Sequence, residues 1–531
     1  MNINTDFGHT KYILLDRIFV CLFLLSALFV SGCASLPTDV QRTPSFALDD
    51  TSETRLAREI QPLVKAHPEE SGFHALSKGI DAFAARLLLV KAAQKSIDVQ
   101  YYIWHDDLTG RVLHNRLLDA ADRGVRVRLL LDDMDTAGKD EMLHMIDAHP
   151  NIEIRLYNPF AGRGSRMGDY LTDTRRINHR MHNKTITADN QATVFGGRNI
   201  GDEYFDASGY VGFSDLDALA IGPVANEVSR GFDLYWNSQW VYPLAAFKPD
   251  EPVTEERIRD FRTQSDAYLE EARSSAYAEA IRNLDMLQMT SIAEMNYSWG
   301  RWVLAYDQPG KVDADEVKEE THLAPQLKKA MDKTRKELNI VSPYFVPGTN
   351  FTDYLVGLVN RGVRVRILTN SLAANDVSLV HAGYKRYREA LISGGVELYE
   401  FKPIKHAGPE IKKDTNMWTG SSRASLHGKY FGFDQDHVFI GSFNLDARSV
   451  ALNTELGVYF ESPEYASIIS QRFDQLAMIK AYRVLLTDEG ELEWLTLENG
   501  KEVRFDIEPE TGFWKRFSTD FLSIFVPESQ L

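Results

Sequence analysis

The residues best suited to chemistry in this sequence are two histidines, each followed by the same small group of side chains. Both groups match H-x-K-x4-D-x6-G-[GS]-x-N, and the spacing does not drift between them. Imidazole can act as a nucleophile or as a general acid and base near neutral pH. Lysine and asparagine can stabilise negative charge. The matched residues are His182, Lys184, Asp189, Gly196 and Asn199, then His427, Lys429, Asp434, Gly441 and Asn444.

Chance does not account for this repeat. The chain has 14 histidines, and each further fixed position matches about once in 20 on average residue usage. One accidental copy is therefore expected in roughly one sequence in ten thousand, before a second copy is required. The repeat indicates a site to which each copy contributes.

The elements that must position the two groups also occur twice. Apolar alternation predicts strands in SIDVQYYIW, VRVRLLLDD and NIEIRLYNP, and helical spacing predicts a helix in IDAFAARLLLVKAAQK. The same order of strands recurs in ELNIVSPYFV, VNRGVRVRILTN and GVELYEFKP. Strands alternating with helices favour an α/β layer in which helices cover a largely parallel sheet. We therefore predict two copies of one α/β unit, each delivering one group.

Composition divides the rest of the chain. A polar, aperiodic stretch precedes the first copy, and an acidic, helix-prone stretch without a counterpart separates the copies. The latter suits either a domain-bridging insert or part of a substrate lid. The predicted organisation is a signal peptide at 1–32, a tether at 33–70, a first domain at 71–245, a helical insert at 246–325, and a second domain with a C-terminal amphipathic helix at 326–531.

The N-terminus has the features of a secretory signal. Lys11 and Arg17 precede the apolar run IFVCLFLLSALFV, which is too short to span a bilayer as a helix. The run ends in VSGC, which resembles the bacterial lipobox and makes Cys33 the predicted lipidation site. A plain signal anchor with an incidental cysteine is the alternative. We expect a lipid anchor in a membrane facing the periplasm, with Ala34 favouring the outer over the inner membrane.

Charge and the C-terminus bear on the partners of the protein. A formal net charge of −17 argues against a broad basic surface for nucleic acid. The terminal stretch GFWKRFSTDFLSIF places six apolar residues on one helical face, which suits a core-packed helix or a helix lying in the lipid interface. These residues are Phe513, Trp514, Phe517, Phe521, Ile524 and Phe525.

The repeated pattern resembles the HKD motif of the phospholipase D superfamily. Membership implies two pseudo-symmetric α/β/α sandwich domains with one active site at their interface, and phosphodiester exchange through a phosphohistidine without a metal or other cofactor. The resemblance implies that His182 is the nucleophile and His427 the acid and base, and the swapped roles stay open. Lys184 and Lys429 would supply positive charge to the non-bridging oxygens of the phosphodiester.

The same resemblance implies further site residues. The asparagines would donate amide hydrogen bonds, and small residues after the motif glycines would let the backbone approach the phosphate closely. The expected phosphate-binding residues are Asn199, Asn444, Gly197 and Ser442.

Five acidic residues complete the predicted site. Asp189 and Asp434 join the catalytic group, with structural hydrogen bonding below the site as the alternative. Each histidine also needs a carboxylate on its second ring nitrogen. Glu455 follows the second motif and is the orienting carboxylate expected there. Asp217, with Asp215 as the alternate, follows the first motif.

Two charged clusters near the first motif have competing interpretations. The stretch DDMD at 132–135 could suggest a metal site, but the second copy has TNS at 369–371 there, which disfavours a metal. The basic residues of RRINHR at 175–180 suit either a solvated loop or a site for a headgroup phosphate.

Longer stretches resemble the cardiolipin synthases of the C type, among them FSDLDALAIGPV, TNSLAANDVSLVHAGYKRYR and FIGSFNLDARS. This resemblance implies transfer of a phosphatidyl group from phosphatidylethanolamine to the glycerol headgroup of phosphatidylglycerol, with release of ethanolamine. With water as the acceptor, the same residues would make a hydrolytic phospholipase D, and no motif separates the two. The acidic balance and the lipid anchor disfavour a nuclease, and two intact motifs disfavour a non-catalytic scaffold.

Overall fold

The computed structural model contains two large mixed sheets, one built mainly by each half of the chain, with helices packed against them. The first sheet has nine strands and the second has ten. Cys33, the predicted lipidation site, lies outside the described residues. The structure describes residues 35–208, 213–289, 291–312, 322–375, 377–403 and 425–525.

The strands are short and follow the repeat seen in the sequence. The first ten are β1 Ser71–Leu76, β2 Ser96–Tyr101, β3 Arg126–Asp132, β4 Ile152–Tyr157, β5 Thr185–Ala188, β6 Ala192–Gly196, β7 Phe213–Ser214, β8 Asp217–Ile221, β9 Val241–Pro243 and β10 Ser298–Gly300. The others are β11 Trp302–Tyr306, β12 Glu337–Val341, β13 Arg364–Asn370, β14 Glu397–Phe401, β15 Ser425–Leu426, β16 Tyr430–Phe433, β17 His437–Gly441, β18 Leu456–Glu461, β19 Ala481–Leu486, β20 Leu492–Glu498 and β21 Lys501–Phe505.

The α-helices connect these strands and fall into three groups. The first half has Arg55–Ala66, Gly79–Ala92, Leu108–Asp122, Asp140–Asp147, Met167–Thr172, Thr174–Ile177 and Pro223–Trp236. Between the halves lie Glu255–Arg273, Ala276–Arg282 and Asp285–Gln288. The second half has Leu323–Lys333, Gly348–Asn360, Ser378–Tyr384, Arg388–Ser393, Ala447–Ala451, Pro463–Gln475, Ala477–Lys480 and Phe513–Phe525. None of the helices in the described part is both long and apolar enough to cross a membrane.

Local sequence explains where the helix before β3 begins and ends. The Asp107 side chain accepts a hydrogen bond from Gly110 N at 3.0 Å and caps the first turn. Gly124 has a φ of +90°, and Gly362, in the equivalent turn of the second half, has a φ of +89°. Glycine adopts this left-handed conformation without the steric cost that other residues incur. The paired RGVRVR stretches therefore turn from helix into strand in the same way.

The strand order confirms the predicted pseudo-symmetry. The first sheet contains the order β8-β6-β5-β2-β3-β4, and the second repeats it as β18-β17-β16-β12-β13-β14. The expectation of a largely parallel sheet is wrong. Within the two large sheets, only β2-β3-β4 and β12-β13-β14 pair in parallel, and the other described pairs are antiparallel. The reason is that each motif is carried by a hairpin, β5-β6 or β16-β17, which adds antiparallel strands beside the parallel core.

Residues 35–70 do not form an extended tether. The backbone N–H groups of Ser45 and Ala47 donate to the side chains of Asn237 and Asp233 at 2.9 and 2.8 Å. The helix Arg55–Ala66 then buries an apolar stripe that includes Leu56 and Ile60. Because these apolar residues gain free energy on leaving water, the segment packs on the first half rather than remaining solvated.

The segment between the halves is helical only in part. Its helix Glu255–Arg273 has no buried residue, which agrees with its acidic composition. After the helices the chain forms β10, which pairs with β1 of the first sheet, and β11, which pairs with β18 of the second. The segment therefore adds an edge strand to each sheet and links the two.

An apolar layer joins the two sheets. Phe73 of the first half stacks on Phe460 of the second, with ring centroids 3.9 Å apart. Both belong to one buried cluster that also holds Phe195 and Ile440 from the two motif hairpins. Because this layer is dry and continuous, it fixes the relative position of the hairpins that carry the motifs.

Candidate active site

The two histidine motifs begin where a central parallel strand ends. Thr185, just after the first motif lysine, pairs with Gln100 near the end of β2. Tyr430, just after the second, pairs with Val341 at the end of β12. The fold thus brings each motif to the carboxyl edge of its own sheet. Polar side chains at this edge of an α/β sheet commonly form ligand sites.

Backbone hydrogen bonds cross between the halves at both motifs. His182 N donates to Thr454 O at 2.8 Å, and Thr454 N donates back to Arg180 O at 2.9 Å. His427 N donates to Ser214 O at 2.9 Å, where β7 and β15 form a short parallel ladder. Each motif is therefore held in part by the opposite half.

The carboxylates that orient the histidines are exchanged between the halves. His182 Nδ1 lies 2.8 Å from Glu455 Oε2, and His427 Nδ1 lies 2.7 Å from Asp215 Oδ2. Each histidine thus receives its carboxylate from the half that does not supply the histidine. A carboxylate on Nδ1 fixes the tautomer that leaves Nε2 available for chemistry.

The expectation that Asp217 orients a histidine is wrong, and the alternate Asp215 takes this position. Asp217 opens β8, and its carboxylate accepts hydrogen bonds from Arg86 Nη2 at 2.9 Å and Arg198 N at 3.2 Å. Arg86 is fully buried and requires a counter-charge within the first half. Asp215 precedes the strand and reaches the boundary between the halves.

The motif lysines are buried beside the histidines. Lys184 Nζ donates to His182 O at 2.5 Å, and Lys429 Nζ donates to His427 O at 2.6 Å. Burial lowers the pKa of Lys184 well below its ordinary value, although the charge of Glu455 opposes this shift. Lys429 Nζ also lies 3.2 and 3.3 Å from the ring nitrogens of His427, where it can stabilise a bound anion.

The surroundings of both histidines favour the neutral imidazole. Burial, followed by the charges of Lys184 and Lys429, lowers the pKa of His182 well below its usual value. Burial and the charge of Lys429 lower the pKa of His427 to about 3, although Asp215 opposes this shift. Because lysines of both motifs act on the same histidine, the two motifs form one electrostatic site.

The two carboxylates differ in their electrostatics. Burial opposes ionisation of Asp215, but the hydrogen bond with His427 and the charge of Lys429 hold its pKa below the ordinary range. Burial raises the pKa of Glu455 to about 7, and the charge of Lys184 offsets this only in part. His427 therefore faces a firmly ionised partner, whereas His182 faces one that titrates near neutrality.

The predicted phosphate-binding residues divide into two kinds. Asn199 donates from Nδ2 to Tyr204 Oη at 3.0 Å, and the buried Asn444 Oδ1 has no partner among the described residues. Gly197 and Ser442 contact the orienting carboxylates instead. A Cβ on Gly197 would lie 2.4 Å from Asp215 Oδ1, and Ser442 Oγ donates to Glu455 Oε2 at 2.5 Å. These two residues position carboxylates in the described structure.

The motif aspartates lie at the far ends of their hairpins from the histidines. Asp189 and Asp434 occupy the turns with φ values of +51° and +55°. The carboxylate of Asp189 accepts hydrogen bonds from the N–H groups of residues 94–96, which lead into β2. Asp434 does the same for residues 335–337 before β12. This geometry matches the structural alternative rather than contact with a reacting group.

The basic residues at 175–180 form neither a solvated loop nor one phosphate site. Arg176 donates to Asn158 Oδ1 at 2.7 Å, and Arg180 pairs with Asp132 at 3.2 Å. His179 Nδ1 lies 3.1 Å from Leu452 O. Of the four basic residues only Arg175 is exposed. Asp132 also accepts a hydrogen bond from Met181 N at 2.7 Å. This carboxylate of the 132–135 cluster therefore stabilises the backbone just before the first motif.

Two tyrosines belong to the site and were missed in the sequence analysis. Tyr102 meets the ring of His182 edge-on, and Tyr204 meets that of His427, with ring centroids 5.1 Å apart in both pairs. Their positions in the sequence could have indicated them. Tyr102 lies in YYIW at the end of a predicted strand, and Tyr204 lies in GDEYF just after the first motif. Each ring limits the rotation of an imidazole.

A buried lysine from the segment between the halves lies behind Glu455 and was also missed. Lys311 Nζ donates to Asp307 Oδ2 at 2.8 Å and to Asn453 O at 2.7 Å. Asp307 Oδ2 also accepts from Glu455 N at 2.9 Å, and the charge of Lys311 partly opposes the rise that burial causes in the pKa of Glu455. No periodic pattern or motif marks Lys311, because its role depends on contacts with residues far along the chain.

Twin mixed sheets and one shared site with two His-Lys-Asn groups define a phospholipase D-like protein. A family model described as "Cardiolipin synthase, PLD-like domain" matches residues 87–236 and 327–477. The chain belongs to this family, and the resemblance seen in the sequence is confirmed.

Similar proteins cover most of the chain. Cardiolipin synthase C of Escherichia coli (strain K12) is 43% identical over 470 residues, which cover 88% of this chain and 98% of that protein. An uncharacterized protein of Helicobacter pylori (strain ATCC 700392 / 26695) is 31% identical over 520 residues, covering 96% of this chain and 100% of that protein. The crystal structure of phosphatidylserine synthase from Haemophilus influenzae Rd KW20 shares the fold, with a TM-score of 0.51, 14% identity and coverage of 81% of this chain and 92% of that chain.

Proposed function

We propose that this protein makes cardiolipin by transferring a phosphatidyl group to phosphatidylglycerol, with phosphatidylethanolamine as the donor. The observation that carries this proposal is the exchanged pair of His–carboxylate contacts, 2.8 Å at His182 and 2.7 Å at His427, in one site with both lysines. Two oriented imidazoles suit a two-step transfer at phosphorus. Its similarity to Cardiolipin synthase C supports cardiolipin as the product.

In the first step His182 Nε2 attacks the phosphorus of phosphatidylethanolamine. A P–N bond forms, the bond from phosphorus to the ethanolamine oxygen breaks, and protonated His427 gives its proton to that oxygen. Lys184 and Lys429 hold the non-bridging oxygens. The charge of the phosphodiester offsets the two lysines, which removes one cause of the low pKa of His427 and favours its protonation.

In the second step neutral His427 removes the proton from a glycerol hydroxyl of phosphatidylglycerol. The hydroxyl oxygen attacks phosphorus, and the P–N bond to His182 breaks. The firmly ionised Asp215 suits the histidine that cycles through imidazolium, which is the reason for assigning His427 as acid and base.

The reaction is tested by incubating the purified protein with vesicles of phosphatidylglycerol and phosphatidylethanolamine, without added metal, and analysing lipids by mass spectrometry. We expect cardiolipin and ethanolamine in equal amounts. The His182→Ala variant serves as the control for background transfer. Phosphatidic acid without cardiolipin would show that water is the acceptor and would replace the proposal with hydrolysis.

The roles of the two histidines are tested by trapping the phosphoenzyme with labelled donor. His182→Asn removes the nucleophile, so no adduct should form, whereas His427→Asn slows turnover and lets the adduct persist. An adduct that forms only in the His182 variant would reverse the assignment.

We also infer that Cys33 carries the lipid anchor and that the enzyme faces the periplasm. Support comes from the VSGC sequence at the end of the apolar run. Mass spectrometry of the mature N-terminal peptide tests this. An acylated cysteine is expected, and an unmodified chain that retains residues 1–32 would contradict it.

A further inference from the structure

The C-terminal helix exposes aromatic side chains although it packs on the fold. The helix Phe513–Phe525 contacts the helix Ser378–Tyr384. Phe513, Trp514 and Phe517 are nevertheless 64%, 76% and 52% exposed. These three rings are therefore not buried in a core, and the side chains of Phe521, Ile524 and Phe525 lie outside the described residues.

A second apolar patch lies on the other half of the chain. In the helix Met167–Thr172, Met167 and Leu171 are 64% and 71% exposed, and Tyr170 is 44% exposed. Arg175 follows Leu171 by four residues and is also exposed. The patch therefore combines apolar side chains with a guanidinium that can approach an anionic headgroup.

Both patches follow the carboxyl ends of parallel strands. Arg166 Nη1, at the start of the Met167–Thr172 helix, donates to Met134 O just beyond β3 at 2.7 Å. The helix Ser378–Tyr384, which supports the aromatic helix, packs through Val380 on Val346 just beyond β12. The histidine motifs lie at this same edge of each sheet. The patches therefore flank the candidate active site from the two halves.

We propose that these two patches form one docking surface that seats the active site on a lipid bilayer. The inference rests on the proposed lipid substrates, whose headgroups must reach buried histidines while their acyl chains stay in the bilayer. Tyrosine and tryptophan are favoured at the membrane interface, and phenylalanine and leucine are common on the inserted face of interfacial helices. The net charge of −17 does not favour binding to anionic lipid. Membrane binding must therefore come from the insertion of apolar side chains and from local cations such as Arg175.

Docking is measured with the mature acylated protein in vesicles that contain brominated phosphatidylcholine, which quenches nearby tryptophan. Trp514→Phe should lose a fraction of the quenching that the wild type shows. Met167→Ser/Leu171→Ser should weaken the quenching of Trp514, because both patches must insert together. Equal quenching in the wild type and Trp514→Phe would overturn the proposal.

A matched control comes from Ile468, which is 39% exposed in the middle of the helix Pro463–Gln475 and belongs to neither patch. Ile468→Ser should leave quenching unchanged. If the patches instead joined two copies of the chain, crosslinking would give dimers with the wild type but not with the patch variants. Trp514 would then not be quenched. That result would also overturn the proposal.

A kinetic comparison separates docking from chemistry. On vesicles, the double variants Met167→Ser/Leu171→Ser and Trp514→Ser/Phe517→Ser should be at least about tenfold slower than wild type. On monomeric short-chain lipids their rates should equal that of wild type, since no surface is involved. Equal rates on vesicles would contradict docking. If neither lipid form yields cardiolipin, the proposed function fails while the quenching experiment still reports the surface.

Discussion

At the residue scale, the two halves of the site differ although their motifs match. His182 hydrogen-bonds a glutamate whose pKa burial raises to about 7, while His427 hydrogen-bonds an aspartate that stays ionised. A symmetric pair of histidines thereby acquires unequal partners. Because an ionised carboxylate stabilises imidazolium, the difference favours one histidine for proton transfer.

Replacing Asp215 should therefore impair proton transfer more than folding. Asp215→Asn keeps the shape of the side chain but removes the charge opposite His427, so we expect the transfer rate to fall by about 10²- to 10⁴-fold. The His437–Asp436 pair, at 2.9 Å and outside the site, offers a matched control. Asp436→Asn should retain full activity in the same vesicle assay. An Asp215→Asn enzyme within threefold of wild type would exclude the assigned role.

His427 should also make stability depend on pH. Burial lowers its pKa to about 3 in the folded protein, whereas the unfolded value is about 6.5. A lowered folded pKa contributes stability above pH 6.5, and this contribution is lost as the pH falls toward 3. Relative to His427→Asn, the wild type should lose about 2 kcal/mol in the free energy of unfolding between pH 7.5 and pH 5. Urea unfolding at both values measures this, and parallel losses in the two proteins would refute it.

At the scale of elements, the hairpin explains why the motif spacing is constant. A histidine at one end and an aspartate in the turn at the other end fix the length of β5 and of β16. The aspartate ties the turn to the start of the neighbouring strand through three backbone N–H groups. The motif therefore encodes both a reacting group and the support that holds it.

Removing the turn aspartate should reduce stability and leave the chemistry intact. Asp189→Ala leaves the part-buried N–H of Gln94 and the buried N–H of Ser96 without their acceptor, which should lower the free energy of unfolding by about 1–3 kcal/mol. The rate per folded molecule should stay within a few-fold of wild type. A loss of activity as large as that of Asp215→Asn, with unchanged stability, would instead place Asp189 among the catalytic residues.

At the scale of the whole molecule, the halves depend on each other. Each supplies the carboxylate for the other's histidine, the segment between them adds an edge strand to both sheets, and one apolar layer holds the sheets together. Neither half contains a complete site. The protein should therefore unfold as one unit rather than as two domains.

Weakening the layer between the sheets tests this cooperativity. Phe460 is fully buried and stacks on Phe73, so Phe460→Ala should lower the free energy of unfolding by about 3–5 kcal/mol. The unfolding curves from tryptophan fluorescence and from circular dichroism should still coincide. Separate transitions for the two probes would show that the halves unfold independently.

The sequence by itself determined the features that depend on local spacing. The two motifs and the twin α/β units were predictable, because strand alternation and hairpin length are properties of short stretches. Glu455 was expected beside the histidine of its own motif, whereas it contacts His182 of the other motif. The resemblance to a known family added the two-domain architecture with the site at the interface.

Only the tertiary structure decided which distant residues meet. The sequence favoured Asp217 over Asp215, and the structure reverses this choice because Arg86 pairs with Asp217 and His427 with Asp215. The exchange of carboxylates between halves, the mainly antiparallel sheets and the place of Lys311 behind the site likewise depend on contacts between residues far apart in the chain. Such contacts depend on packing in three dimensions, and no local pattern in a single sequence specifies them.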